Sequence, residues 1–324
     1  MNVAKVLCQP HKIPEKIARH IRNRKRISKL TRSLATQSEP ARSPLLEEGQ
    51  ESKHIVLAET ERHGLPLRTV LCSETGMIFF DPMPNGAFLT QFYATAYQSI
   101  QRSASPDETI RKLEKQRTEK LVNFLEGLLL PNPCKVLDVG CSAGHILDEL
   151  AKARPDIKFV LHGIEPDANY ISYINEKLPH IYTHCMMIED YETDQNFDLI
   201  LMMHGLEHIR DMPGVLHKVS DLLAEDGVLY LETPNIFKVP KCVPLHKFFL
   251  ISKLWCFSPE TLKVFMAYNG FKCVKFDTKS DKHILAAFNK KQGASSIRSG
   301  DLKLVAQDIK EYLYGARNGQ VNND

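Results

Sequence analysis

The sequence predicts an α/β protein built on one mostly parallel, seven-stranded sheet, with helices on both faces and an antiparallel pair of strands closing it. Three observations carry that prediction. Apolar runs of strand length alternate with helical patterns from about residue 105 to residue 290. The runs are nearly continuous in apolar residues, as in strands covered on both faces. The last two runs, FKCVKFDT and HILAAF, are separated only by KSDK, a link too short for a crossover, so they must pair antiparallel.

Residues 1–35 read as a basic tail with ten Lys or Arg against Glu15 alone. Ile13, Ile17, Ile21, Ile27, Leu30 and Leu34 make an imperfect apolar stripe along it, a pattern that predicts an amphipathic helix when the tail is bound to something. Residues 36–53 combine Pro, Ser, Gly and charge with little apolar content and are expected to be a linker. A small module follows over 54–104. The core, 105–290, opens with a helical pattern through Leu113, Leu121, Phe124 and Leu128 that PNP is expected to end, because proline cannot continue a helix. Strands are expected at 134–140, 158–165, 181–185, 197–203 and 227–233, with helices at about 144–153, 167–178, 212–224 and 259–269. Ser258 before Pro259 suits a helix start. Residues 291–324 are a C-terminal extension with a short helix expected at 303–316.

Such sheets place ligands beyond the carboxyl ends of their strands. The strongest local signal lies there, in VLDVGCSAGHIL: a buried strand ends near Asp138, and a small-residue loop, Gly140-Cys141-Ser142-Ala143-Gly144, opens the next helix. Glycines there let the backbone turn sharply and approach a ligand closely. The loop lacks the Gly-Lys-Ser/Thr of a phosphate loop and matches G-x-G-x-x-G poorly, so a phosphate ligand is not favoured. The following strand ends at Glu165, 27 residues after Asp138, where a carboxylate can accept hydrogen bonds from both hydroxyls of a ribose.

Together these segments resemble the class I S-adenosylmethionine-dependent methyltransferases. VLDVGCSAG resembles the first motif, Glu165 the ribose-binding acid, FDLILMMHGLEHI the fourth-strand motif and LLAEDGVLYLETPN the fifth-strand segment. The resemblance implies a Rossmann-like sheet and S-adenosylmethionine as cofactor. It implies that Asp138, Gly140, Cys141 and Gly144 surround the methionine end, that Glu165 holds the ribose, and that Met187 or Ile188 flanks the adenine. It also implies that Met203 and His204 edge the methyl group. Ser142 stands where that family usually has the middle glycine of the loop.

Beyond the fourth strand stands His204-Gly205-Leu206-Glu207-His208, matching H-x-x-E-H. In inverted zinc proteases that pattern lies within a helix; here it leaves a strand and contains a glycine, so the protease reading is set aside. Three readings stay open. His208 is a general base, with Glu207 fixing its tautomer or touching the acceptor, as in similar sugar C-methyltransferases. Alternatively His204, Glu207 and His208 hold a divalent metal, with His246 as a further donor, as similar E-x-x-E-H segments do; this metal reading is not favoured. In the third reading both histidines start a helix and bond locally.

LCSETGMIFFDPMPNGAFLTQFYATAYQ resembles the region ahead of the core in a bacterial-type subgroup whose cysteines form a zinc ribbon. Only Cys72 remains of that set, so zinc is expected to be lost while the F-Y-x-x-x-Y lid, Tyr93 and Tyr97, persists. By the same resemblance His246 and Trp255 line an acceptor pocket, with packing as the alternative for Trp255.

Composition limits the rest. The chain has 324 residues, 43% hydrophobic and 25% charged, with net charge +3, so the tail carries +9 and the remainder −6. No apolar run approaches the roughly 18 residues of a membrane span, no secretory signal is read at the start, and the eight cysteines form no C-x-x-C pair. The expectation is a cytoplasmic enzyme with reduced thiols, acting on oxygen or carbon of a small or carrier-linked polar acceptor such as a sugar. No N-P-P-Y-type motif follows the fourth strand, which argues against most nitrogen-directed methylation. The tail suits peripheral adsorption to an anionic membrane. RNA as substrate is less favoured, since the tail has no aromatic residue. A non-catalytic cofactor-binding protein is the third class.

Overall fold

A computed structural model of the chain describes residues 27–95, 108–279, 282–290 and 299–315. The greater part of the basic tail and Tyr97 lie outside the described residues. A helix over 27–34 leads into β1 (Ser38–Glu39), followed by β2 (His54–Ala58), β3 (Thr69–Cys72), β4 (Ile78–Phe80), β5 (Met83–Pro84) and α1 (Gly86–Thr95). The core continues through α2 (Glu108–Leu125), β6 (Cys134–Val139), α3 (His145–Ala153), β7 (Phe159–Ile164), α4 (Ala168–Lys177), β8 (Ile181–His184), β9 (Phe197–Met203), α5 (Met212–Leu222) and β10 (Leu223–Pro234). It closes with β11 (Trp255–Cys256), α6 (Pro259–Tyr268), β12 (Phe271–Asp277), β13 (His283–Lys290) and α7 (Ser299–Gly315).

The main sheet has seven strands in the order β12-β13-β10-β9-β6-β7-β8. β8, β7, β6, β9 and β10 run parallel, whereas β13 lies antiparallel to both β10 and β12, as the short KSDK link requires. Chain order reverses between β6 and β9, which opens a crevice at the carboxyl ends of those strands. Alternation along the strands then sorts side chains. Val136, Leu199, Leu201 and Tyr230 pack on one face with Leu121, Phe124 and Leu125 of α2, while Leu137, Ile200, Met202, Leu229 and Leu231 pack on the other.

Two expectations about boundaries need correction. α2 stops at Leu125, before PNP is reached; Gly127 (φ 80°) takes the left-handed conformation that ends helices and leaves the prolines to the following loop. α5 stops at Leu222, because Leu223 already pairs with Phe197 and the register shifts before Val228.

The segment 36–53 is not a free linker. β1 pairs with β5, and Leu45, Leu46 and Ser43 are buried, with Thr75 donating to Ser43 Oγ at 2.8 Å. The end of the expected tail is packed too: Leu30 and Leu34 on the 27–34 helix are buried in the same apolar cluster as Phe79, Phe88 and Phe257. β2, β3 and β4 form a second sheet completed by β11, a strand contributed from far along the core, so the small module shares its sheet with the core.

Candidate active site

The loop after β6 is shaped by backbone as much as by side chains. Gly140, Ser142 and Gly144 all have positive φ (83°, 51° and 74°), and the Gly140 and Cys141 amides both donate to the Ile164 carbonyl at the end of β7. A Cβ on Gly140 would have no protein atom within 4 Å: the space beside it is open. Ser142 adopts a conformation that costs an L-residue about 1 kcal/mol or more, a physical reason for glycine at that position in similar chains. Cys141 is turned inward against Gly163, whose own Cβ would lie 2.5 Å from its sulfur, and its thiol is pushed well above the ordinary range by burial. Its contribution to the loop is therefore through its backbone.

Asp138 is buried. Burial, with Glu114 and Glu165 adding like charge, raises its pKa to about 8, and its Oδ2 has no hydrogen-bond partner. Glu114, on α2, is satisfied by His145 at 2.7 Å, whose other ring nitrogen meets Tyr173. Glu165 accepts from the Ser142 and Asp167 amides at 3.0 and 3.1 Å, which aims its carboxylate across the mouth of the loop. Met187 is exposed and Ile188 buried just after β8; Met203 ends β9. Asp138 pairs in register with Leu201, and Met203 with Glu232, so all four side chains share the α2 face of the sheet.

S-adenosylmethionine fits these residues. It carries a cationic ammonium and a sulfonium, and the open end of the cradle offers an unpartnered buried carboxyl oxygen beside two further carboxylates. The open space at Gly140 admits close approach, and Glu165 offers a carboxylate able to accept hydrogen bonds from ribose hydroxyls.

The His204–His208 segment forms a turn, with a short 3-10 helix over Leu206–His208. His204 has φ 55°; its amide donates to the Glu232 carbonyl, its Nδ1 lies 3.2 Å from Glu207 Oε1 and its Nε2 3.2 Å from Glu232 Oε1. Burial would lower the His204 pKa, but hydrogen bonds and charge from both glutamates outweigh it and raise it. Glu207 also accepts from Thr233 Oγ1 at 3.1 Å and lies 3.5 Å from Lys253 Nζ. Burial alone would raise the Glu207 pKa; His204, His208 and Lys253 reverse it and hold the carboxyl well below the usual range.

His208 faces elsewhere. Its Nδ1 meets Tyr93 Oη at 3.2 Å, the Ser252 carbonyl also bonds it, and burial lowers its pKa to about 4. The hydrogen bonds of Glu207 go to His204 and Thr233, so Tyr93 and Ser252, rather than Glu207, orient the His208 ring. Trp255 is buried, donates Nε1–H to the Ile209 carbonyl at 2.8 Å and packs on Phe79, which makes it a structural residue. His246 stands on a separate turn, Leu245–Lys247, apart from the His204 cluster. Cys72 has Ser52 and Glu74 as neighbours and, among the described residues, no cysteine bonded to it.

Glu232, His283 and Lys253 belong to this site and were not among the residues singled out from sequence. Glu232 could have been found as the one acid in the apolar run GVLYLET; no local signal marks the other two.

This cradle and fold are those of a class I S-adenosylmethionine-dependent methyltransferase. Comparison with known families agrees: a model described as a methyltransferase domain matches residues 110–275, just over half of the chain, and the chain belongs to that family. It is 26% identical over 133 residues to a ubiquinone biosynthesis O-methyltransferase of Rhodopseudomonas palustris, covering 40% of this chain and 48% of the relative. It is 27% identical over 134 residues to a malonyl-[acyl-carrier protein] O-methyltransferase of Acetivibrio thermocellus, covering 41% and 46%. The chain thus spans about half the length of the curated relatives it matches. Among solved structures it is similar to a Burkholderia thailandensis 1,6-didemethyltoxoflavin-N1-methyltransferase with bound S-adenosylhomocysteine, at 12% identity and TM-score 0.47 over 67% of this chain and 96% of that one. Among the described residues no helix is long and apolar enough to cross a membrane.

Proposed function

We propose that this chain methylates an oxygen of a small or carrier-linked polar acceptor, with His208 as the base that takes the acceptor proton. S-adenosylmethionine, when bound, supplies an electrophilic methyl group on a sulfonium that is already a good leaving group, so positioning contributes most of the acceleration. Asp138 and the Gly140–Gly144 loop bind its amino-acid end and Glu165 orients its ribose, leaving Met203 and the His204 turn beside the transferred group.

The observation that carries the assignment of the base is the contrast between the two histidines. Both ring nitrogens of His204 face carboxylates, which raise its pKa, whereas His208 meets Tyr93 and burial lowers its pKa. A base with pKa about 4 is weak, which suits an acidic hydroxyl better than a simple alcohol. That both relatives are O-methyltransferases supports oxygen as the target. The degenerate Cys72 segment and the Tyr93 contact with His208 support the subgroup reading, in which residues ahead of the core cover the acceptor.

Replacing His208 by Ala should lower turnover about a hundredfold or more while leaving S-adenosylmethionine affinity nearly intact, as loss of a general base predicts. Unchanged turnover in that variant would remove His208 from the reaction.

A further inference from the structure

His204, Glu232 and His283 converge where β9 and β10 end and β13 begins, each offering one ligand atom within 4.8 Å of the others. We propose that His204 Nε2, the Glu232 carboxylate and His283 Nδ1 form a binding site for a divalent first-row transition ion.

Sheet register brings them together. Glu232 lies opposite Leu285 in the antiparallel pair, so His283, two residues away, is its diagonal neighbour on the same face; on the other side Glu232 is in register with Met203, directly before His204. The positive φ of His204 and its amide bond to the Glu232 carbonyl turn its ring towards that carboxylate. Glu232 Oε1 lies 2.8 Å from His283 Nδ1 and 3.2 Å from His204 Nε2. Donors around a tetrahedral ion with bonds of about 2.1 Å sit about 3.4 Å apart, so small adjustments would admit the ion.

Two further observations point to a missing ligand. Glu232 Oε2 is buried without a hydrogen-bond partner, and Glu232 is only 3% exposed, a situation native proteins avoid unless something else satisfies the atom. Glu207 accepts from His204 Nδ1 and is itself held by Thr233 and Lys253, the arrangement by which a second carboxylate fixes a ligating imidazole with its other nitrogen free to coordinate. Two imidazoles and one carboxylate select zinc or iron(II) over magnesium or calcium. This set differs from the His204, Glu207 and His208 ligands that the sequence spacing suggested, because Glu207 is engaged behind His204 and His208 faces Tyr93.

The site stands on its donors alone; its role rests on the proposed O-methylation. A three-ligand ion would retain a position for an acceptor oxygen and would lower the pKa of a bound hydroxyl.

The test titrates the full chain, stripped by chelation, with zinc and separately with magnesium, using calorimetry with metal analysis of the dialysed protein. One tightly held equivalent of zinc and no comparable magnesium is expected. Glu232→Gln and His283→Ala should each weaken zinc at least about tenfold while S-adenosylmethionine still binds. If Glu232→Gln fails to fold, His283→Gln decides, since His283 is partly exposed. Zinc binding unaltered by the substitutions at 232 and 283, or an equivalent abolished by Cys72→Ala and not by Glu232→Gln, overturns the site. Methyl transfer by fully zinc-free protein, with no zinc taken up on titration, overturns it while leaving the methyltransferase reading standing; one zinc equivalent in a chain that transfers no methyl group does the reverse.

Discussion

At Asp138, burial and the neighbouring Glu114 and Glu165 keep the carboxyl protonated up to about pH 8 in the free protein. A bound ammonium favours the carboxylate, so binding S-adenosylmethionine should release a proton below that pH, and affinity should rise as pH approaches it. Calorimetry in buffers of different ionisation enthalpy measures the proton; Asp138→Asn should abolish both the release and the pH dependence. The sign for stability runs the other way. The folded pKa lies above the ordinary value of 3.8, so the folded chain binds more protons than the unfolded one between about pH 4 and 8 and loses stability as pH rises through that window. Thermal melts should therefore show Asp138→Asn less destabilised than wild type by raising the pH towards 8. Gly140→Val meets no protein atom but fills the space the ligand needs and strains a positive φ, so it should keep the fold with a somewhat lower Tm and lose S-adenosylmethionine binding. Asp138, Gly140 and Gly144 stand out in sequence because a strand, a loop and a helix start lie contiguously there, and Glu165 because it directly follows the next strand. Glu232 and His283 do not, because strand register joins residues 51 positions apart that carry no shared local pattern.

Periodicity located the strands and helices of the core within a few residues, since each buries its apolar face against the same sheet. Ends were less legible where two stop signals compete. Gly127 ends α2 ahead of the prolines, and β10 begins at once after α5 because Leu223 finds a partner in Phe197. The cap at Ser258 was legible: Ser258 Oγ accepts from the Thr261 amide, and the Ser258 amide donates to Thr261 Oγ1. Ser258→Ala should cost about 1 kcal/mol or somewhat more, because the buried Thr261 hydroxyl loses a neighbour with it; chemical denaturation measures the loss. Trp255 shows why the small sheet was hard to anticipate: its strand comes from within the core and pairs with β4, a partner that only long-range topology supplies.

For the whole molecule, low apolar content made residues 36–53 look like a linker, yet a few leucines suffice to dock a segment once a groove exists. Leu30, Leu34, Leu45 and Leu46 are all buried, and fully burying each contributes about 1.5–3 kcal/mol. A chain starting at Ile27 should keep wild-type thermal stability and S-adenosylmethionine binding, whereas one starting at Lys53 should be strongly destabilised. Residues 1–26 can therefore be tested separately. If the cations of the tail hold the chain to anionic membranes, the full chain should sediment with anionic vesicles at low salt and the chain starting at Ile27 should not; equal partitioning removes that role. Methyl transfer from S-adenosylmethionine to an acceptor oxygen can be read by incubating the purified chain with methyl-labelled S-adenosylmethionine and cell extract, followed by mass spectrometry. The expected products are S-adenosylhomocysteine and a labelled methyl group on oxygen of a small or carrier-linked molecule, absent with Gly140→Val and strongly reduced with His208→Ala. S-adenosylmethionine that binds but is recovered unconsumed, or a label found on nitrogen, would contradict transfer to oxygen.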